Sequence, residues 1–394
     1  MRPNKRVVLE TGVRWAEHKT DQTPGRAEER RAATEEAGCG FILGYDSFRI
    51  NVGAPRKFLS LLAIGGSHLD WSTQTILITG GTGSFGKAFV GYLQAHHPPK
   101  RLVIFSRDEF KQFEMSKMHN ERNMRYFLGD VRDLDRLKRA CVGVDCIVHA
   151  AALKQVPACE YNPFEAVKTN IQGAQNVIDA AIECGVKKVI ALSTDKAVSP
   201  ANLYGATKLC AEKVFTAGNA YVSGGARTHF SIVRYGNVMG SRGSVVPVFL
   251  AHRKTGVLPI TDVKMTRFWI ALHQGVRMVV NSIEKMTGGE IFIPKIPSLK
   301  VVDLARAIAP ECKHEVIGIR PGEKLHELLI SEEEMGHTRE FDDSFLIEPN
   351  FEWFASSRSN GKSVAGKPAY SSETNDNWLS VEQLGDMLEQ EKVL

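Results

Sequence analysis

The chain has 394 residues, 43% of them hydrophobic, and a formal net charge of +5, enough apolar material for one large or two modest domains and too much for a chain disordered throughout. Its charge forms no block of the kind that marks a nucleic-acid tail, and no apolar stretch reaches the roughly 18 to 20 residues of a membrane-spanning helix. The seven scattered cysteines form no C-x-x-C pair, so neither disulfides nor a metal site is expected, and a reducing, cytoplasmic setting is.

Residues 1–74 mix the Glu/Arg-rich run Arg26–Glu36 with Gly, Pro and Thr and show no sustained period. They predict a poorly ordered N-terminal extension, or upstream sequence read through from a misassigned start, without a secretory signal. From Thr75 short β-rich apolar runs alternate with helical segments: Thr75–Thr79, Arg101–Phe105, Cys146–His149, Lys188–Leu192 and Phe230–Arg234. Such alternation predicts an α/β fold, a Rossmann-type doubly wound parallel sheet spanning 75–245. Beyond it Pro247, Pro259, Pro294, Pro297, Pro310 and Pro321 punctuate shorter elements. They predict a smaller C-terminal substrate-binding part and tail over 246–394.

The first strand runs into Gly80, Gly81, Thr82, Gly83, Ser84, Phe85 and Gly86, followed by a helical run from Lys87 to Gln94. Glycines at 80, 83 and 86 permit a tight turn, close approach of a pyrophosphate and close packing of the helix, whose first N–H groups face the negative charge. The second strand ends in Ser106 and Arg107. A hydroxyl and a guanidinium suit the 2′-phosphate of NADP, although Asp108 one residue later is what a ribose hydroxyl of NAD would seek. Asp130 and Val131 follow the expected third strand and would flank the adenine. Ala150 and Ala151 end the fourth with side chains small enough for the cofactor to lie across the sheet edge.

The fifth strand ends in Ser193, Thr194, Asp195 and Lys196, and Tyr204 follows with Lys208 four residues later. On a helix Tyr204 and Lys208 share one face, so the ammonium could lower the phenol pKa, and the phenolate could take a proton from an alcohol undergoing oxidation. Thr194 supplies a hydroxyl for the reacting oxygen. The adjacent Asp195–Lys196 could provide the acid and the base that a dehydration needs; the same two residues also suit a structural ion pair or a helix entry.

At Ile76–Ala88, His149–Ile171, Ser193–Lys208, Arg234–Pro247, Met265–Ile270, Gly318–Ser331 and Tyr370–Val381 the chain resembles the inverting UDP-N-acetylglucosamine 4,6-dehydratases of the pseudaminic acid pathway, extended short-chain dehydrogenases/reductases. The resemblance covers Ile76 to about Leu388 and departs at Asp262, which Val263 and Lys264 follow where the family has proline. It implies that Tyr204, with Lys208 and Thr194, deprotonates the C4 hydroxyl while hydride passes to NADP. It further implies that Lys196 removes the C5 proton, Asp195 protonates the departing C6 hydroxyl, hydride returns to C6, and C5 is inverted. Lys154, Asn237, Arg242, Arg267, Arg320 and Glu323 would contact the UDP-sugar. A homo-oligomer is expected, since apolar helices in such folds commonly pair. The rival readings are a retaining dehydratase or dehydratase/epimerase, a plain C4 epimerase, and a non-catalytic NADP-binding module.

Overall fold

The computed structural model describes residues 69–221, 228–240, 244–350 and 359–391. The expectations for residues 1–68 and for Arg242 lie outside the described residues. Six strands, β1 (Thr75–Thr79), β2 (Arg101–Ser106), β3 (Met124–Leu128), β4 (Cys146–His149), β5 (Lys188–Thr194) and β6 (His229–Tyr235), pair in parallel. Their spatial order is 3-2-1-4-5-6, the doubly wound order. The helices between them are α1 (Ser84–His96), α2 (Glu109–Met118), α3 (Leu134–Cys141), α4 (Val156–Tyr161), α5 (Pro163–Val167), α6 (Gly173–Glu183) and α7 (Leu203–Gly218).

Every residue of β1 and the run Leu102–Phe105 of β2 are buried, as expected of parallel strands covered on both faces. β3 lies at the sheet edge, where only Met124 is fully buried. That is why its apolar pattern is the weakest of the six.

After α8 (Val245–Arg253) and α9 (Leu272–Lys285) the chain returns to the same sheet. Ile291–Pro294 adds parallel to β6, and Ser344–Ile347, Thr338–Glu340 and Lys362–Ser363 follow antiparallel, giving ten strands. The boundary expected at 245/246 is therefore crossed by the sheet. α9 itself packs on α1, while α3 packs on α6 and α6 on α7. A second, smaller core gathers Val246, Phe249, Leu258, Ile260, Trp269, Leu299, Leu304, Leu384 and Leu388. It is framed by Thr266–Ile270 paired with Ser298–Lys300 and Asn237–Val238, and by Val257–Ile260 paired with Lys313–Val316. In a doubly wound sheet the crevice opens where the strand order reverses, here between β1 and β4 at their carboxyl ends.

Candidate active site

The turn after β1 is built by backbone alone. Gly80 accepts a hydrogen bond from Gly83 at 2.9 Å and donates to the Phe105 carbonyl at 2.8 Å. It adopts φ +66°, and a Cβ there would stand 2.9 Å from the backbone of Ala151. A side chain at this position would therefore be strained in conformation and blocked in space. Helix α1 starts at Ser84 with no side-chain cap, so its first N–H groups remain available to an anion. Thr79 Oγ1 accepts from the Ala150 and Ala151 N–H groups at 3.2 and 3.3 Å. The ends of β1 and β4 thus form one floor.

At the end of β2, Gln112 donates to Ser106 Oγ at 3.1 Å, leaving the hydroxyl its own proton to give. Arg107 stands half-exposed, 3.6 Å from Asp130. Asp108, whose carboxylate argued for NAD, caps α2 instead: it accepts from Lys111 N at 3.0 Å and pairs with the Lys111 ammonium. Asp130 is held by Arg132 at 3.0 and 2.7 Å. Although burial pushes the Asp130 carboxyl up, these arginine bonds and the nearby Arg107 bring it below its ordinary value.

Ser106, Arg107, Asp108, Lys111 and Asp130 line a cleft of about 560 Å³, which Gly80, Thr82 to Gly86, Val131, Ala150 and Ala151 share with Lys154, Thr194, Lys196, Tyr204, Lys208 and Asn237. A narrow glycine-walled cradle, an uncapped helix start and a Ser–Arg–Lys rim fit a dinucleotide phosphate.

The reacting end is set by β5 and α7. The turn Asp195–Ala197 follows β5 directly, and α7 begins against it, capped by Asn202 Oδ1 accepting from Gly205 N at 2.8 Å. A Cβ on Gly205 would stand 2.1 Å from the Lys196 carbonyl, so only glycine lets Tyr204 come this close to the turn. Between the two, Ser199 adopts φ +45°. A non-glycine residue in that region carries strain of the kind found at functional sites.

Asp195 is fully buried. Its Oδ1 accepts from Thr194 Oγ1 at 2.9 Å and from Lys196 Nζ at 3.0 Å, and its Oδ2 has no hydrogen-bond partner. Burial, helped by the charge of Glu327, raises the Asp195 carboxyl well above its ordinary range despite Lys196. Burial alone would lower Lys196, but Asp195 and Glu327 outweigh it and hold the ammonium up. Glu327 goes the other way from Asp195: Lys196, Arg267 and Lys324 overcome its burial and keep it ionised. The surroundings thus push the two carboxyl groups apart, Asp195 up and Glu327 down.

Tyr204 is raised to about 12 by burial, opposed by the Lys196 charge and a hydrogen bond with Thr194. The sequence pairs the phenol with Lys208, but Lys208 Nζ donates to the Leu192 carbonyl at 2.7 Å, and the cation that favours the phenolate is Lys196. One helical turn of separation sets the face; the long lysine side chain decides where its charge ends.

Asn237 and Lys154 line the cleft, and the Asn237 Oδ1, Thr169 Oγ1, Ser193 Oγ and Ser244 Oγ atoms are buried there without hydrogen-bond partners. Arg267 and Glu323 are not part of that lining. Arg267 donates to the Thr266 and Leu325 carbonyls and faces Glu327 at 3.9 Å, and Glu323 buries an unpartnered Oε2. Arg320 is exposed. Asn170, in the π-helical stretch Lys168–Gln172, clamps Leu153 through both of its backbone groups at 2.8 and 2.9 Å and donates to Thr207 at 2.9 Å. It fastens the loop carrying Lys154 to α7.

The residue that sequence reasoning missed is Glu327. Its signals were Lys324 three residues earlier and its place in the resembling segment Gly318–Ser331. Among the described residues no cluster of His, Cys, Asp or Glu is arranged to hold a metal ion, and no helix is long and apolar enough to cross a membrane.

The family model described as "Polysaccharide biosynthesis protein" matches residues 76–349. The chain belongs to that family. Within it, a protein of Campylobacter jejuni named UDP-N-acetylglucosamine 4,6-dehydratase (inverting) is 53% identical over 325 residues, covering 80% of this chain and 97% of the relative. A Rickettsia conorii protein named UDP-glucose 4-epimerase is 44% identical over 282 residues, 70% of this chain and 82% of the relative. The X-ray structure of Pen from Bacillus thuringiensis superposes with a TM-score of 0.76 at 39% identity, covering 83% of this chain and all of that one. The fold is that of the extended short-chain dehydrogenases/reductases, and the close relatives identify the branch as that of the inverting 4,6-dehydratases.

Proposed function

We propose that this protein is an NADP-dependent hydro-lyase that converts UDP-N-acetylglucosamine to UDP-2-acetamido-2,6-dideoxy-β-L-arabino-hex-4-ulose, inverting C5. The observation that carries the reading is the pairing of Lys196, which lines the glycine-walled cleft with Thr194 and Tyr204, with the fully buried Asp195 3.0 Å behind it. Gly80, Thr82 to Gly86, Ser106, Arg107, Asp130, Val131, Ala150, Ala151 and Lys208 would hold the dinucleotide, with Arg107 and Lys111 meeting its 2′-phosphate. The bound nucleotide supplies the hydride acceptor and donor.

Tyr204 takes the C4 hydroxyl proton. With the Lys196 charge already beside it the phenol stands at about 12, so Lys196 favours the phenolate without by itself bringing it near neutral pH. Oxidation at C4 acidifies the C5 proton, which Lys196 removes, while Asp195, already raised by burial, protonates the oxygen leaving C6. Asn237, Lys154 and Arg267 would orient the UDP-sugar, together with Arg242, Arg320 and Glu323. The enzyme is read as a homo-oligomer.

A plain C4 epimerase is the reading suggested by the Rickettsia relative's name. That reaction needs Thr194, Tyr204 and the nucleotide but leaves the Asp195–Lys196 pair without work. Proton NMR of the protein with UDP-N-acetylglucosamine in deuterated water separates them. A C6 methyl signal, deuterium at C5 and inverted C5 coupling support the dehydratase. A C4 epimer with C6 unchanged overturns it, as does an unchanged spectrum after NADP is added. Lys196→Ala should still allow C4 oxidation but block water loss, whereas Tyr204→Phe should stop both.

A further inference from the structure

Beside the Asp195–Lys196 pair lies a second buried carboxylate to which this reaction gives no task. The Glu327 side chain is 3% exposed, with Oε1 3.4 Å from Lys196 Nζ and 3.9 Å from Arg267 Nε, and Oε2 3.5 Å from Lys324 Nζ. Its backbone is fastened on both sides to Ser372: the Glu327 N–H donates to Ser372 Oγ at 2.9 Å, and the Ser372 N–H donates to its carbonyl at 2.8 Å. The segment leading to it is tied to the catalytic turn. Lys324 Nζ donates to the Val198 carbonyl at 2.6 Å, and Asn202 donates to the Gly322 carbonyl at 2.8 Å.

Lys196 is faced by Asp195, Glu327, Arg267, Lys154 and the Tyr204 phenol; Glu327 is faced by Lys196, Arg267, Lys324 and Asp195. With Asp195 as its only counter-charge, Lys196 would lose its anionic partner whenever Asp195 took up a proton. It would then stand among like charges that favour losing its own.

We propose that Glu327 is a positioning residue whose fixed negative charge keeps one proton on the Asp195–Lys196 pair, so that the two exchange it and serve as acid and base in a single turnover. This rests on the roles given above to Asp195 and Lys196. At rest Lys196 is an ammonium and Asp195 a carboxylate. Transfer along their 3.0 Å contact breaks an N–H bond and forms an O–H bond, leaving an amine and a carboxylic acid. The amine takes the C5 proton. The C5–H electron pair forms the C5–C6 double bond, the C6–O bond breaks, and the Asp195 proton leaves on that oxygen as water. The pair ends as ammonium and carboxylate, as it began, and Glu327 stays ionised throughout.

The test is the pH–rate profile of water loss in Glu327→Gln, with NADPH absorbance followed in a single turnover to report C4 oxidation separately. Removing the charge lowers the proton affinity of Lys196 and Asp195 alike, so the basic limb of the profile moves to lower pH, by about one to three units for a charge at this range. On that basic limb water loss falls about tenfold for each pH unit the limb moves, while C4 oxidation persists. Glu327→Asp, which keeps the charge, restores most of the limb. Should Glu327→Gln fold poorly, Glu327→Gln with Lys324→Met, in which one lost charge offsets part of the other, moves the limb in the same direction by less. An unshifted limb, or oxidation and water loss reduced equally, overturns the assignment while the wild-type reaction still stands. A wild type that releases no water from UDP-N-acetylglucosamine overturns the dehydratase reading and this assignment with it.

Discussion

Lys208→Met should make the protein more stable while removing its activity. Lys208 is 5% exposed, and burial drives its ammonium down to about 8 from 10.5, with Glu212 opposing. Because the folded value lies below the unfolded one, the folded chain holds fewer protons between them. Stability therefore rises as pH climbs from about 8 to 10.5, and below about 8 the full penalty is present. At about 1.4 kcal/mol per pH unit the penalty at pH 7 is roughly 3 kcal/mol. Methionine escapes it but leaves the Leu192 carbonyl without its 2.7 Å donor, a loss of about 1 to 2 kcal/mol. The net gain is about 1 to 2 kcal/mol at pH 7, read by urea unfolding without added nucleotide. At pH 10 the advantage should have largely gone, since the wild-type lysine is then neutral when folded. A variant less stable than wild type at pH 7, or an advantage that does not change with pH, would refute the reasoning.

Arg107→Ala should weaken NADP binding by calorimetry about 10- to 100-fold, the worth of a charged hydrogen bond of about 1.5 to 3 kcal/mol, and leave NAD binding unchanged; equal losses for both would remove Arg107 from the 2′-phosphate. Gly205→Ala puts a Cβ 2.1 Å from the Lys196 carbonyl, displacing Tyr204 from the turn, so kcat should fall about 100-fold, as for a misplacement near 1 Å. Arg234 bonds Glu212 through Nε and Nη2 at 3.0 and 2.6 Å and also reaches Glu334 and the Leu329 carbonyl. Arg234→Met leaves Glu212 buried and unpaired, so thermal unfolding should report a loss of about 3 to 5 kcal/mol, most of it recovered when Glu212→Leu is added.

The parallel sheet, the phosphate turn and the Thr194, Tyr204 and Lys208 set were legible because each is written locally. Apolar runs such as Thr75–Thr79 alternate with helices, glycines fall at fixed offsets, and a helix brings residues four apart to one face. The chain after residue 245 was harder to read, since its strands are two to five residues long and pair with partners far away: Ile291–Pro294 joins β6, and Thr266–Ile270 joins Ser298–Lys300. No local period can announce such pairings.

The electrostatics were decided only in three dimensions. Sequence alone brought Asp195, Lys196 and Tyr204 together at a strand end and a helix start and so determined which groups are present. Where each charge ends depends on packing. Asp108 is absorbed by the helix it caps, Lys208 by the Leu192 carbonyl, and Lys196 is held between Asp195 and a glutamate 131 residues further along the chain. Charge interactions fall off with distance in space and strengthen with burial, and neither is a property of sequence spacing.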